Sequence, residues 1–327
     1  MESLSKEKPG VRLTLGGDLK PGWDDTSRLN SRLESFGQLK HRTHEFVQWA
    51  LDGGIPLFDR SITQVFRRLR DCGQYLIFRN FIFSKRSRLI GACSCRQHLL
   101  CAFCASRRGV KHAVAYKEKV DHLATVTPGS KLMFLTFTIQ NGPGLLERFN
   151  HLRNAIKTLL RHRNNEAAHH RDHHTEMSKL SGGVFAYEFK RGSGLDLWHP
   201  HIHMLALLGP DQFIDAAALK AEWLEITQDS HVINIKNADD NAFLEVFAYA
   251  LKFSELEHTD RWFASQQLKG ERLISSFGDF RFVEPVDDVC DDVLATDEPF
   301  VDLLFFWHTQ RGYKFNRCLL GSEKAAA

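Results

Sequence analysis

Long hydrophobic segments are missing from this sequence of 327 residues. No run of 18 uncharged apolar residues occurs, which excludes a helix that spans a membrane. Residues 1–8 are polar and charged and contain no apolar signal core, so we expect a protein that is not secreted. These absences together predict a cytoplasmic protein with no membrane partner.

Cysteine is scarce outside one short segment. Four of the seven cysteines lie within residues 93–104. Cysteines that cluster in this way are more typical of metal binding in a reducing compartment than of a disulfide framework. We therefore expect a metal site rather than disulfides.

Charge of one sign is lacking in two separate segments. Residues 67–119 contain 13 Lys or Arg and only two acids, whereas residues 284–302 contain eight acids and no Lys or Arg. The net charge of +3 hides this asymmetry. A strongly basic segment favours a polyanionic partner, so residues 67–119 are a candidate phosphate-facing surface; the alternative is a set of basic residues that only solvate a surface. The acidic segment is either a solvated linker or a mimic of DNA.

The Cys-rich segment contains a chelating pair, Cys101-x-x-Cys104. A tetrahedral zinc site needs two more ligands. Three residues are candidates for these two positions: Cys93, Cys95 and His98. A site filled by four protein ligands has no position for a substrate, so we expect a structural Zn²⁺; the alternative is a set of buried cysteines without metal. Arg107 and Arg108 follow this segment and are candidates for DNA binding.

Polar and apolar residues alternate from His201 on, in His201-Ile-His203-Met204, which is typical of a strand with one buried face. Side chains at i and i+2 of a strand point to the same side, so His201 and His203 lie next to each other. Neutral imidazoles are common ligands of divalent transition metals. The alternative is a pair of ordinary, partly buried histidines.

A carboxylate occurs in the preceding segment, where residues 183–191 have the composition of a strand. Glu188 lies midway along it, and a short loop at residues 192–196 separates it from the histidine strand. In an antiparallel pair Glu188 can lie beside His201 and His203. Two histidines and one carboxylate leave positions open for water or a substrate oxygen, as a catalytic metal requires.

Two further segments carry regularly spaced polar side chains. Residues 131–141 alternate between apolar residues and the hydroxyl-bearing Thr136 and Thr138, which indicates a strand; both threonines are candidates for contact with DNA. Residues 240–254 have the apolar spacing of a helix, with Glu245, Tyr249 and Lys252 along one side. By itself such a helix more often holds a half-buried aromatic residue beside a salt bridge.

Together these segments resemble the HUH endonuclease superfamily and, within it, the rolling-circle replication initiators of small bacterial plasmids. Three motifs carry the resemblance by their order and spacing: Leu135-Thr-Phe-Thr138, His199-Pro-His201-Ile-His203 and Glu245-x-x-x-Tyr249-x-x-Lys252. Residues 268–278 and the Cys-rich segment are similar too, so the match covers residues 93–282. The second tyrosine of two-tyrosine relatives is missing, since the nearest candidates are Phe247 and Phe253.

The resemblance implies an α+β fold in which a central antiparallel sheet carries the His-x-His strand between flanking helices. It also implies that Tyr249 attacks a DNA phosphodiester and forms a 5′-phosphotyrosine and a free 3′-OH. Mn²⁺ or Mg²⁺ bound by His201, His203 and Glu188 would polarise the scissile phosphate.

The same resemblance implies roles for two residues of the tyrosine helix and a set of partners. Lys252 would offset charge near the phosphate, and Glu245 would activate water at termination. The DNA would be an origin hairpin that is single-stranded at the nick site. A host helicase and a polymerase are the expected protein partners, and a homo-oligomer is an open alternative to a monomer.

This interpretation divides the chain into four regions: a mobile tail (1–40), a helical and Cys-rich basic DNA-binding region (41–125), an HUH nicking domain (126–283) and an acidic linker with a C-terminal hairpin (284–327). Two other functions fit the same motifs. One is a transposase or mobilisation relaxase of the same superfamily. The other is a zinc-containing DNA-binding protein without catalytic activity.

Overall fold

A computed structural model describes residues 26–56, 59–167, 175–191, 197–239, 241–285, 288–291 and 298–319. The described chain is α+β, with two antiparallel sheets and helices packed against them. In this part of the chain no helix is both long and apolar enough to cross a membrane. The α-helices are α1 (Thr26–Trp49), α2 (Arg60–Asp71), α3 (Ala102–Val126), α4 (Leu145–Ala167), α5 (Ala216–Thr227), α6 (Ala242–Phe247), α7 (Tyr249–Phe253) and α8 (His258–Gln267).

The strands form a sheet of five and a sheet of four. The larger sheet has the order β6-β3-β5-β4-β7, and the smaller has the order β2-β1-β8-β9. The strand bounds are β1 (Tyr75–Phe81), β2 (Ser87–Ala92), β3 (Lys131–Thr138), β4 (Leu180–Arg191), β5 (Trp198–Leu208), β6 (Ile233–Asn237), β7 (Ile274–Gly278), β8 (Phe300–His308) and β9 (Gly312–Leu319). A π-helical turn (Ala50–Gly54) follows α1, and a 3₁₀ helix (Glu176–Lys179) precedes β4.

The histidine strand β5 lies at the centre of the larger sheet, between β3 and β4. Helices cover both faces of this sheet. On one face Phe149 of α4 packs edge-on against Tyr187 of β4, with 5.2 Å between ring centroids. On the other face α6 and α7 contact β5 and β4 and pack in turn on α3. The central position explains why the alternating residues of β5 are buried on both sides.

The smaller sheet joins the hairpin that follows α2 to the last described strands of the chain. The hairpin expected near the C-terminus is present as β8 and β9, and β8 pairs with β1 in the register Tyr75↔Phe306. Residues that the sequence interpretation placed in separate regions, 41–125 and 284–327, therefore share one sheet. The four-region division of the chain stays a prediction.

Three acidic side chains of residues 284–302, those of Asp291, Glu298 and Asp302, accept hydrogen bonds from other parts of the protein. Asp302 accepts hydrogen bonds from Arg79 at 2.9 and 3.1 Å. Asp291 is buried and accepts from Arg32 at 2.8 Å and from Arg107. For these two acids both expectations, a solvated linker or a DNA mimic, are replaced by a structural role.

The first helix differs from the mobile tail expected for residues 1–40. Residues 26–40 belong to α1, and Leu29, Leu33, Phe36 and Leu39 are buried against the rest of the chain. These four positions recur at three to four residues, a helical spacing hidden among polar neighbours. Residues 1–25 lie outside the described part of the chain, as does the loop at residues 192–196.

The helix expected at residues 240–254 is interrupted. It consists of α6 and α7, which meet at Ala248. Hydrogen bonds near the break span both three and four residues: Leu251 N donates to Ala248 O at 2.8 Å, and Lys252 N donates to the same oxygen at 3.1 Å. The side chains of the motif therefore do not share one uninterrupted helical face.

Candidate active site

Three side chains with metal-binding atoms converge on neighbouring strands of the larger sheet. Glu188 of β4 lies directly opposite His201 of β5, and His203 lies two residues further along the same strand. All three are buried, with exposed fractions of 1%, 6% and 8%. Their ligand atoms all lie within 4.8 Å of one another. The structure thus brings together the three residues that the sequence analysis had grouped.

Hydrogen-bonding geometry orients both imidazoles towards the carboxylate. Nε2 of His201 lies 3.1 Å from Oε1 of Glu188, and Nε2 of His203 lies 3.4 Å from Oε2. On the other side of its ring, Nδ1 of His203 lies 3.2 Å from Oγ1 of Thr136 on β3. Thr136 therefore holds the ring of His203, a role different from the DNA contact expected for it. Thr138 is placed opposite His201 in the same pairing.

Two lysines surround the carboxylate of Glu188. Nζ of Lys190 lies 3.0 Å from Oε1, and Nζ of Lys252 donates a hydrogen bond to Oε2. Burial by itself would raise the pKa of Glu188. Hydrogen bonds with His201 and His203 and the charge of Lys252 outweigh that effect and hold its pKa well below the usual range. Glu188 is therefore an ionised carboxylate at neutral pH.

These residues fit a divalent metal ion. Burial lowers the pKa of His203, which keeps its imidazole neutral, as ligation requires. Among the described residues, Nδ1 of His201 is a buried atom without a hydrogen-bond partner. Buried polar atoms without partners are rare and often mark an ion or water site. Two imidazoles and one carboxylate also leave open coordination positions.

Tyr249 lies at the start of α7 and is 4% exposed. Burial raises the pKa of its phenol, while the charge of Arg108 and a hydrogen bond with it act in the opposite direction. Arg108 is on α3, and Gly109 lets this helix approach α6 closely, because a Cβ there would lie 2.7 Å from O of Phe247. The contact between Arg108 and Tyr249 thus depends on tight packing of α3 against α6.

The other two residues of the tyrosine motif point to different surroundings. Lys252 contacts Glu188 and so links α7 to the set of three candidate metal ligands, Glu188, His201 and His203, called here the three-ligand group. Glu245, on α6, is on the surface, where its carboxylate lies 3.7 Å from Nζ of Lys236. The interruption at Ala248 separates Glu245 from Tyr249, which is the physical reason that the expected single row of side chains is not found.

A cavity of about 810 Å³ opens next to Tyr249. Its lining includes basic and aromatic side chains from the Cys-rich loop, α3 and the segment before β7, namely Arg96, His98, Arg108, Tyr116, Lys269 and Arg272. None of Glu188, His201 and His203 is among the described residues that line it. The lining also includes the carboxylates of Asp59, Glu271 and Glu284, so its four Lys and Arg side chains exceed the acids by one. A cavity with this small excess of cations and with aromatic walls suits a nucleic acid strand.

The Cys-rich segment contributes to a second group of metal-binding atoms. Sulfurs of Cys95, Cys101 and Cys104 lie together with the sulfur of Cys72, all within 4.8 Å of one another. Cys72 takes the place that the sequence analysis gave to Cys93 or His98. Cys72 lies at the end of α2, just before β1, and the β1–β2 hairpin returns the chain so that the Cys-rich segment lies beside it. The two are close in space although they are far apart in sequence.

Arg107 does not face solvent, in contrast to the expectation of phosphate binding. It is 3% exposed, donates to O of Val289 at 2.8 Å and pairs with Asp291. A buried arginine that is paired with a carboxylate is not available to DNA. Arg108, its neighbour, is half-buried and lines the cavity.

Sequence reasoning missed Cys72, the support of His203 by Thr136 and the pairing of Arg108 with Tyr249. A signal existed for the first two. Cys72 is followed by Gly73, as in a metal-binding turn, and Thr136 has the strand parity that faces a neighbouring histidine. No sequence signal indicates that Arg108 lies beside Tyr249, 141 positions later in the chain, because that contact depends on helix packing.

Comparison with known proteins gives a family match. The family model described as "Replication protein" matches residues 86–299. A protein named "Protein rep" from Bacillus amyloliquefaciens is 26% identical over 176 residues, which cover 53% of this chain and 47% of that protein. Another "Protein rep", from Streptococcus pneumoniae, is 24% identical over 188 residues, which cover 52% of this chain and 55% of that protein. The chain therefore spans about half the length of these curated relatives. No solved structure matches.

Proposed function

Because this chain belongs to the replication protein family, we propose that it initiates rolling-circle replication of a plasmid by nicking one DNA strand at the origin. The reaction is a transesterification. The phenolic oxygen of Tyr249 attacks the scissile phosphorus, and the bond from phosphorus to the 3′-oxygen breaks. The phenol loses a proton and the 3′-oxygen gains one, which leaves a 5′-phosphotyrosyl ester and a free 3′-OH primer.

One observation carries this proposal. Lys252 lies one helical turn after Tyr249 and forms an ion pair with Glu188, so the tyrosine helix is docked on the three-ligand group. Glu188, His201 and His203 would hold a divalent metal, whose Lewis acidity offsets the negative charge that builds on the phosphate oxygens. This mixed imidazole and carboxylate set favours Mn²⁺ over Mg²⁺.

The basic cavity supplies a path for the DNA strand. Arg108 holds the hydroxyl of Tyr249 at the cavity, and a guanidinium group binds phosphate strongly. A strand that lies in the cavity would bring its backbone to Arg108 and Tyr249 together. Because Tyr249 is buried, a phosphate can reach it only on a strand that leaves the duplex, so the substrate is single-stranded at the nick, as in an origin hairpin.

Termination needs a second chemical step. Glu245, four residues before Tyr249, is half-buried, with 39% of its side chain exposed. It activates a water molecule that hydrolyses the phosphotyrosyl ester and returns the free tyrosine. The 3′-OH is extended by a host polymerase while a host helicase separates the strands in the cytoplasm. A homo-oligomer is compatible with this cycle but is not required by it.

A nicking assay tests the proposal. The full chain is incubated with Mn²⁺ and a pool of hairpin oligonucleotides whose loops are randomised, labelled at the 3′ end. Since the 5′-phosphate becomes attached to the protein, the 3′-labelled fragment should remain bound to it on a denaturing gel. The same pool labelled at the 5′ end should give a shorter, free product that a polymerase extends.

Variants assign the nucleophile. Tyr249→Phe should abolish the covalent band, whereas Tyr75→Phe, in the smaller sheet, should leave it intact. Tyr116→Phe is informative because Tyr116 lines the same cavity: loss of the band with this variant but not with Tyr249→Phe would reassign the nucleophile. If no adduct forms with any pool, the non-catalytic DNA-binding function replaces this one.

A further inference from the structure

Four buried sulfurs lie at the spacing of a metal shell. Sγ of Cys72 lies 3.5 Å from that of Cys104 and 3.5 Å from that of Cys101. Sγ of Cys95 lies 3.6 Å from that of Cys104. A disulfide would need about 2.0 Å, whereas four sulfurs at about 2.3 Å from a tetrahedral Zn²⁺ lie about 3.8 Å apart. The observed spacing matches a tetrathiolate site.

The backbone around two of these cysteines forms tight turns, which are suited to metal ligands. Cys72 and Cys95 are each followed by a residue in the left-handed region, Gly73 at φ 66° and Arg96 at φ 56°. For Arg96 this conformation is unfavourable, so the fold maintains it against a local cost. The tight turns bring backbone amides to the sulfurs, as N of Cys95 donates to Sγ of Cys72 at 3.4 Å. Amide donors stabilise a thiolate over a thiol.

Two buried cations next to this group form no ion pair with a carboxylate among the described residues. Lys40 is 1% exposed, and its Nζ donates to O of Arg70 and O of Cys72, both at 2.6 Å. Arg261 is 0% exposed and donates to O of Leu100, while its Nε and Nη1 have no hydrogen-bond partner in the described structure. A buried charge without a counter-charge is costly.

The charges balance if the sulfurs bind a divalent metal. Four thiolates and one Zn²⁺ carry a net charge of −2, and Lys40 with Arg261 carries +2. Four neutral thiols would instead leave Arg261 uncompensated and Lys40 with only the charge of Asp71, an exposed carboxylate that is already paired with Arg70. Arg42, also near Arg261, is paired with Glu255 at 3.8 Å and does not enter this balance.

We propose that Cys72, Cys95, Cys101 and Cys104 bind one structural Zn²⁺ as a tetrathiolate, and that Lys40 and Arg261 neutralise its charge. All four positions of the metal are filled by protein, so the site takes no part in DNA cleavage. It joins the end of α2 and the Cys-rich loop to the start of α3, the helix that carries Arg108 to Tyr249. The site is independent of the proposed nicking reaction.

Metal content of the purified full chain tests the ligand set without any DNA. After dialysis against EDTA, the wild type and the His201→Ala/His203→Ala variant should each retain about one zinc per chain by elemental analysis. Cys72→Ser should lose this zinc, and Cys93→Ser should retain it. Equal zinc in the Cys72→Ser and wild-type proteins, loss in Cys93→Ser, or iron in place of zinc would overturn the proposal.

A second variant covers the case in which Cys72→Ser does not fold. Cys72→His keeps a ligand at the same position. Its Co²⁺ form should show a tetrahedral visible spectrum that is shifted from the wild-type spectrum, because one sulfur is replaced by nitrogen. An unchanged Co²⁺ spectrum would show that Cys72 is not a ligand.

The role of the cations is tested by the rate of zinc transfer to a chromogenic chelator. Arg261→Gln should speed the transfer by about 10- to 100-fold, the usual effect of losing an outer partner of a metal site. Arg261→Lys, which keeps the charge, should restore most of the retention, and Arg42→Gln should behave as wild type. Equal rates for Arg261→Gln and wild type would contradict charge compensation.

Discussion

Nζ of Lys252 donates a hydrogen bond to the carboxylate of Glu188, and this contact joins the tyrosine helix to the three-ligand group. Glu188 is 1% exposed, so the ion pair forms in an environment of low effective dielectric. Lys190 contacts the other oxygen of the same carboxylate, but its side chain is 53% exposed. The two lysines therefore contact the same carboxylate but differ in two respects: Lys252 is less exposed than Lys190, and it belongs to α7 rather than to β4.

The first prediction concerns this pair. Lys252→Met should lower the single-turnover rate of covalent adduct formation by about 10²–10³-fold, because a half-buried cation beside the proposed metal ligands is lost. Lys190→Met should change the rate by only a few-fold, since solvent screens its charge. Equal losses for both variants would indicate that Glu188 requires positive charge in general rather than a contact from the tyrosine helix.

Thr136 is expected to support metal binding rather than DNA binding. Thr136→Val removes the hydroxyl that lies 3.2 Å from Nδ1 of His203. We expect the Mn²⁺ affinity to fall by about 10- to 100-fold, measured by titration followed with electron paramagnetic resonance. Thr138→Val, at the neighbouring same-face position, should leave the affinity unchanged. Weaker DNA binding with unaltered Mn²⁺ affinity would return Thr136 to the role expected from the sequence.

Arg108 should set the pH dependence of nicking. Burial raises the pKa of Tyr249 and Arg108 lowers it, so Arg108→Gln should raise this pKa further. The reactive species is the phenolate, so the rate should fall near pH 8, and its rise with pH should move to more alkaline values. The measurement is the initial rate of adduct formation across the alkaline range. Lys269→Gln, which removes an exposed cation from the same cavity, should not shift the profile.

Asp291 should stabilise the fold in a pH-dependent manner. Burial would raise its pKa, but the charges of Arg107 and Arg32 outweigh burial and lower it to about 2. Compared with an ordinary value near 3.9, this shift contributes about 2–3 kcal/mol to the free energy of unfolding. The contribution is complete above the unfolded-state pKa and is lost as the pH falls through about 2.

Urea unfolding of Asp291→Asn and wild type checks this prediction. The difference between their free energies of unfolding should be largest near pH 5 and should shrink as the pH approaches 2. Asp288→Asn, a change at an exposed neighbour, should cost little at any pH. A difference that does not vary with pH would mean that packing, rather than the ion pair, explains the effect.

Local periodicity was sufficient to predict the three-ligand group. Alternation along β5 placed His201 and His203 on one face, and the short connection to β4 placed Glu188 beside them. Each of these inferences depends on neighbours in one hairpin. Tyr249 and Lys252 were also found by spacing, but their surroundings were not, because the interruption at Ala248 and the approach of α3 depend on tertiary packing.

Long-range contacts account for most of the remainder. Cys72 joins three cysteines that lie more than 20 residues away, and β8 pairs with β1 across most of the chain. Neither contact has a local pattern that identifies its partner. Arg107 shows the converse difficulty: its charge predicted exposure, but burial beside Asp291 reversed that expectation.

The central claim is that Tyr249 becomes covalently linked to DNA with the help of Glu188, His201 and His203. The most direct test is to isolate the adduct, digest it with nuclease and trypsin, and locate the remaining nucleotide by mass spectrometry. We predict that it lies on the peptide of residues 237–252, whose single tyrosine is Tyr249, and that His201→Ala/His203→Ala yields no adduct. A nucleotide on any other peptide, or the same yield from the double-histidine variant, would contradict the account.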